Sequence, residues 1–175
     1  MTTDMKIWRE SGFVRGDPWV IETDDVKASD DQKVLLSLEA LVEKAEESND
    51  VGLGVVLGPA DDVSRLEPYL YRLEIVALTF AAFSDGRAFS QASLLRDRLA
   101  YRNELRAVGD VLIDQVPLML RVGFDSFAVS NATAVKRLSE GRLPGISEHY
   151  QPAVKAAEGG QGYSWRRRAL SAQQA

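Results

Sequence analysis

The chain reads as an α/β protein, built from repeated βα units that form a mostly parallel sheet, with an N-terminal β hairpin and an extended C-terminal tail. Two observations carry that reading. Short runs at residues 51–57, 73–80, 104–108 and 126–129 read as strands, the first two with the apolar composition of buried ones. A helical pattern follows each of them, so that strand and helix alternate about every 20–25 residues, the rhythm of right-handed crossovers between parallel strands. A partial (β/α) barrel and an open three-layer sheet both satisfy this order.

The elements follow in sequence. Ile7-Trp8, Phe13-Val14 and Trp19-Val20-Ile21 are separated by Gly12 and by Gly16-Asp17-Pro18, which predicts short strands or a hairpin with a Gly-Asp-Pro turn within residues 1–22. Over residues 30–47, Val34, Leu35, Leu38, Leu41, Val42 and Ala45 fall at helical spacing with acidic residues on the other face, which predicts an amphipathic helix. The run at 51–57 closes on Gly58-Pro59. Its Gly52, Gly54 and Gly58 have the wrong spacing for a dinucleotide fingerprint, and close packing explains them better. Asp61 or Asp62 can cap a helix through residue 70, with Pro68 as a break. Helices are expected over 90–101, over 111–122 with an interruption near Pro117 and a stop at Gly123, and over 131–140 before Gly141. Residues 1–143 then form one domain. Residues 144–175 read as a flexible tail, with Tyr163-Ser164-Trp165-Arg166-Arg167-Arg168 as an aromatic and basic patch able to dock on a second subunit in a homodimer.

Composition narrows the chemistry. The 175 residues contain no cysteine and one histidine, His149, which excludes disulfides, thiolate nucleophiles, cysteine-ligated clusters and multi-histidine metal sites within this sequence. No cofactor motif is evident and no metal site is expected. The absence of a long apolar run or a signal-peptide pattern makes the cytoplasm the expected location, with no membrane contact. Net charge is −5, but the first 62 residues carry 15 acidic and 6 basic residues, and the remainder 11 acidic and 15 basic. The basic half suits small anions or an acidic partner face. The scattered arginines, without interleaved aromatics, argue against nucleic acid.

Polar residues crowd two strand-to-helix junctions. Ser84-Asp85-Gly86-Arg87 follows one strand, and Gly109-Asp110 follows the next. Neighbouring parallel strands would open both loops on one edge of the sheet, the usual place for a ligand. Arg87 and Arg106 could then present forked donors to an oxyanion, helped by Ser90 and Gln115, while Asp85 or Asp110 serves as the acid/base group. Other roles fit the same residues: Ser90 and Asp110 stand where helix N-caps belong, Asp85-Gly86 is a common turn pair, and the direction of Arg106 depends on strand register.

The block Asp85-Gly86-Arg87, Phe89-Ser90, Ala92, Leu95-Arg96, Tyr101, Leu105-Arg106-Ala107, Gly109-Asp110-Val111-Leu112 and Asp114-Gln115, extended by Gly123-Phe124-Asp125, resembles a family of small bacterial proteins of unknown function. Members of that family carry the label of probable oxidoreductases involved in sulfite reduction and typically lie beside sulfite reductase and other sulfate-assimilation genes. The resemblance implies an accessory protein of sulfite or sulfate assimilation that binds a sulfur oxyanion or the sulfite reductase machinery. A small enzyme acting on an anionic substrate with a non-covalent cofactor is the alternative. A non-catalytic interaction protein is a further one.

Overall fold

A computed structural model describes residues 5–22 and 28–144. The expected tail, with Tyr163–Arg168 and His149, lies outside the described residues. Eight strands form one sheet in the order β2-β1-β8-β7-β6-β5-β4-β3. They are β1 (Lys6–Arg9), β2 (Gly12–Phe13), β3 (Trp19–Val20), β4 (Lys33–Leu36), β5 (Leu53–Leu57), β6 (Leu73–Phe80), β7 (Glu104–Gly109) and β8 (Ser126–Val129). Neighbours from β3 to β8 pair in parallel, whereas β1 joins β8 and β2 antiparallel. The sheet curls into a half-barrel.

The curl follows from one short connection. β2 and β3 occupy opposite edges of the sheet, yet only Val14–Pro18 joins them. Seven gaps of about 4.8 Å would separate the edges of a flat sheet by roughly 34 Å. Six residue steps reach only about 20 Å. The edges must therefore bend toward each other. The hairpin expected in this region exists, but its turn is Glu10-Ser11. Gly16-Asp17-Pro18 is instead part of the crossing segment: Asp17 pairs with Arg106 of β7 in mid-sheet, and Pro18 O accepts from Lys33 N–H of β4 near the far edge.

Helices cover the convex face. Helix α1 (Leu38–Glu47) begins at the N-cap Ser37, whose Oγ accepts from Ala40 N–H at 3.2 Å. The single helix expected over 30–47 is thus two elements, because Val34-Leu35-Leu36 pairs as β4 before Ser37 starts the helix. A 3₁₀ segment, Val63–Arg72, is capped by Asp62 and carries Pro68 inside it. Its capping carboxyl is held below the usual carboxylate range by the Ser64 hydroxyl and the Ser64 N–H. Helix α2 (Arg87–Ser93) runs on through a π turn, Leu94–Arg98, so it starts three residues before the expected position. Helix α3 (Val116–Val122) takes Pro117 in its first turn, where a missing N–H costs nothing, and ends at the left-handed Gly123. Helix α4 (Ala132–Ser139) is capped by Asn131.

The main core lies between these helices and the sheet, with Leu38, Leu41, Leu66, Ala92, Leu95 and Met119 packed on Val55, Leu57, Val76, Leu78, Leu105 and Phe127. A second cluster fills the concave face with Ile7, Trp19, Leu35, Ile75, Ala77, Val108 and Ala128, and draws on strands and their connections alone. Gly54 shows why a glycine stands inside β5: a methyl group there would run into the Trp19 ring and lie 2.7 Å from Leu35 Cδ2. Close packing therefore explains Gly54, whereas Gly52 stands at φ +72°.

Candidate functional site

The carboxyl ends of β6 and β7 lie side by side, with Phe80 opposite Gly109. The loops that follow therefore open on one edge, as the sequence predicts. Gly109, at φ +87°, lets the chain turn there, and Asp110 N–H donates to Phe80 O at 2.8 Å. Gln115 Nε2 donates to Phe83 O at 3.2 Å and ties the second loop to the first. Asp85, Arg87, Asp110 and Gln115 share this edge.

Their chemistry is that of a surface. Asp85 Oδ1 accepts from Arg87 N–H at 3.1 Å and from Nε at 3.0 Å, while Oδ2 accepts from Nη2 at 2.7 Å. The Arg87 side chain and then its backbone N–H hold the Asp85 carboxyl below the usual carboxylate range, and Asp85 raises Arg87 in return. A carboxylate so held is a weak base near neutral pH. Asp110 is exposed, and so is Ser90, which sits within α2 and not at a cap. Asp110 caps no helix either, because α3 starts six residues later at Val116. Phe83 is 64% exposed on the same edge.

Arg106 does not join them. Leu105 and Ala107 point into the helix-side core, so strand alternation sends Arg106 to the concave face. There its Nη1 and Nη2 donate to the two carboxylate oxygens of Asp17, both at 2.7 Å. Nη2 also donates to Glu104 Oε1 at 2.8 Å, and Nε to Ser126 Oγ at 3.2 Å. Ser126 Oγ donates to Glu104 Oε1 at 2.5 Å, and Arg9 Nη2 to Glu104 Oε2 at 2.5 Å. Burial pulls the Arg106 pKa down, but the hydrogen bonds and charges of Asp17 and Glu104 outweigh it and the net shift is upward. The two arginines expected to clamp one anion thus lie in different places: Arg87 on the edge, Arg106 inside the curl.

Asp17, Glu104, Ser126 and Arg9 are residues that the sequence reading passed over. One signal was present. Polar Glu104 and Arg106 alternate with apolar Leu105 and Ala107 in a strand flanked by apolar ones, which marks a polar spot on a single face. Two other buried arginines have backbone partners. Arg96 donates to the carbonyls of Gly123, Tyr101 and Asn103 and to Asp125 Oδ2, and Arg72 closes α1 through the carbonyls of Ala45, Ser48 and Asp50. Among the described residues, no group of three or more His, Cys, Asp or Glu side chains could hold a metal ion. No helix among them is long and apolar enough to cross a membrane.

Residues 54–159 match a family described as a bacterial protein of unknown function (DUF934). The chain belongs to this family. The family span holds both polar loops of the edge as well as Glu104, Arg106 and Ser126, whereas Arg9 and Asp17 precede it. No curated protein and no solved structure matches the chain.

Proposed function

We propose that this family member is an accessory protein of assimilatory sulfite or sulfate reduction, acting by contact with the sulfite reductase machinery and not by turnover of its own. The observation that carries the contact half of this reading is the placement of the junction residues. Phe83, Arg87, Ser90, Asp110 and Asp114 are all exposed on one sheet edge, with Asp85 and Arg87 already paired. An exposed aromatic beside an exposed arginine is the composition of an interface anchor. The sulfur half rests on the resemblance of the same block to proteins encoded beside sulfite reductase. The oxyanion-clamp version loses weight, because Arg106 is engaged elsewhere.

Two experiments test the halves separately. Deletion of the gene should abolish growth on sulfate and on sulfite, with growth restored by sulfide. Undiminished growth on sulfate would remove the sulfur reading. Sulfite reductase should co-purify with the tagged full-length chain from sulfate-grown cells, and Phe83→Ala with Arg87→Ala should release it. Retention by that double variant would remove the edge as the contact surface.

A further inference from the structure

Arg106 is the most buried charged side chain among the described residues, 2% exposed in the middle of the concave face. Its counter-ion comes from a short connection held at its two ends, where Val14 N–H donates to Ile7 O at 2.8 Å and Pro18 O accepts from Lys33 N–H at 2.7 Å. Arg15, Gly16 and Pro18 are exposed, and Asp17 alone among the residues from Arg15 to Pro18 sends a charged side chain inward. Asp17 meets the guanidinium with both oxygens at 2.7 Å, the two-pronged geometry that a free oxyanion adopts on an arginine. Ser126 and Glu104 fix the guanidinium from behind, so the fork keeps its orientation independently of Asp17.

We propose that residues 15–17 are a strap latched by Asp17, and that the space Asp17 vacates in front of Arg106 is a site for a small, singly charged oxyanion that takes the Arg106 fork when Asp17 leaves. Charge selects the ligand. Arg9 and Arg106 stand against Glu104 and Asp17, and a monoanion in place of Asp17 keeps that balance, whereas a dianion does not. Ile75, Ala77, Val108 and Ala128 give the site apolar walls, which strengthen a charged hydrogen bond made there. An uncompensated buried arginine is costly, so the strap opens by exchange of one carboxylate for another. The proposal does not depend on the sulfur reading.

The cysteine-free sequence makes the test direct. Ala77 is buried on the concave face, with its Cα paired to that of Arg106, and Ala92 is buried under α2 on the other face. In the full-length chain, Ala77→Cys carries one thiol that iodoacetamide reaches only if the strap lifts, and Ala92→Cys reports global unfolding. Formate should speed alkylation of the first about tenfold and saturably, and leave the second unchanged. Sulfate should act more weakly and chloride, at matched ionic strength, not at all. Asp17→Asn in the Ala77→Cys chain should speed alkylation without formate. The site is overturned if formate has no effect, if chloride matches it, or if both thiols respond alike. A sulfate effect equal to that of formate overturns the charge assignment.

Discussion

Arg87 and Arg106 lie 19 positions apart in one block of sequence, each bound to an aspartate, and the fold gives them opposite surroundings. The Arg87 side chain is 61% exposed at the sheet edge, while that of Arg106 is 2% exposed inside the curl. An ion pair whose arginine is already solvated is worth little. Inside the protein the pair offsets a large desolvation cost, and removal of one partner strands the other. The interior pair is therefore architecture that holds a strap across the half-barrel. The edge pair is free to be spent on contact with something else.

The largest expected effect tests the interior side of that contrast. Arg106→Met leaves Asp17 without its two-pronged partner and Glu104 with only Arg9 and the Ser126 hydroxyl, and should cost about 3–5 kcal/mol. Urea unfolding would show it as a lower midpoint at unchanged slope. Adding Asp17→Leu to that variant should recover much of the loss, since the stranded charge is then gone. A cost below about 1 kcal/mol for Arg106→Met would mean that the interior pair behaves like a surface one.

Next in size is Gly109→Ala, which tests whether the edge has a rigid base beneath its exposed charges. The residue stands at φ +87°, and a methyl group would press on the Phe80 carbonyl. The expected loss is more than about 1 kcal/mol. It should be accompanied by exchange of the Asp110 amide proton, whose acceptor is that same carbonyl. An unaltered amide would separate the turn from the loop it is argued to place.

Alkaline pH gives a smaller effect at the opposite end of the strands. Burial pushes the Tyr101 hydroxyl well above the tyrosine value of 10.0, against the pull of Arg96. The unfolded chain therefore ionises first, so the stability that Tyr101 contributes is complete below about pH 10 and falls as pH rises beyond it. Tyr101→Phe should flatten the decline of the urea midpoint above that pH. An unchanged slope would remove Tyr101 as its source.

The contrast also explains what could be read from sequence. β6 coincides with its expected bounds because a buried parallel strand is a largely apolar run between polar breaks; β8 coincides too, and β7, where charged and apolar residues alternate, gains one residue. Residues 33–47 were harder. Val34-Leu35-Leu36 fits either period, and only the Ser37 cap separates strand from helix. The meeting of both loops on one edge was legible because it needs only two adjacent strands. The Asp17–Arg106 pair was not, because it joins residues 89 positions apart through a curl set by the β2–β3 connection. Local pattern carries no record of such a closure.

Arg87→Ala is the smallest perturbation to the fold and the sharpest test of the edge. Its guanidinium bonds only Asp85 among the described contacts and is itself exposed, so the urea midpoint should lie only slightly below that of the unaltered chain at neutral pH. Asp85 keeps the Arg87 backbone N–H as a donor, so the turn itself should persist. The lowered Asp85 pKa favours folding above the ordinary carboxylate value of 3.8 and ceases to do so as pH falls through its folded value. The variant should thus trail the parent only slightly at neutral pH, and the difference should vanish in acid. The proposed contact with sulfite reductase should nevertheless weaken, because an exposed arginine can be re-paired by an incoming carboxylate. If Arg87→Ala lowered the midpoint as far as Arg106→Met does, the edge would be built like the interior, and the division between holding and contacting would collapse.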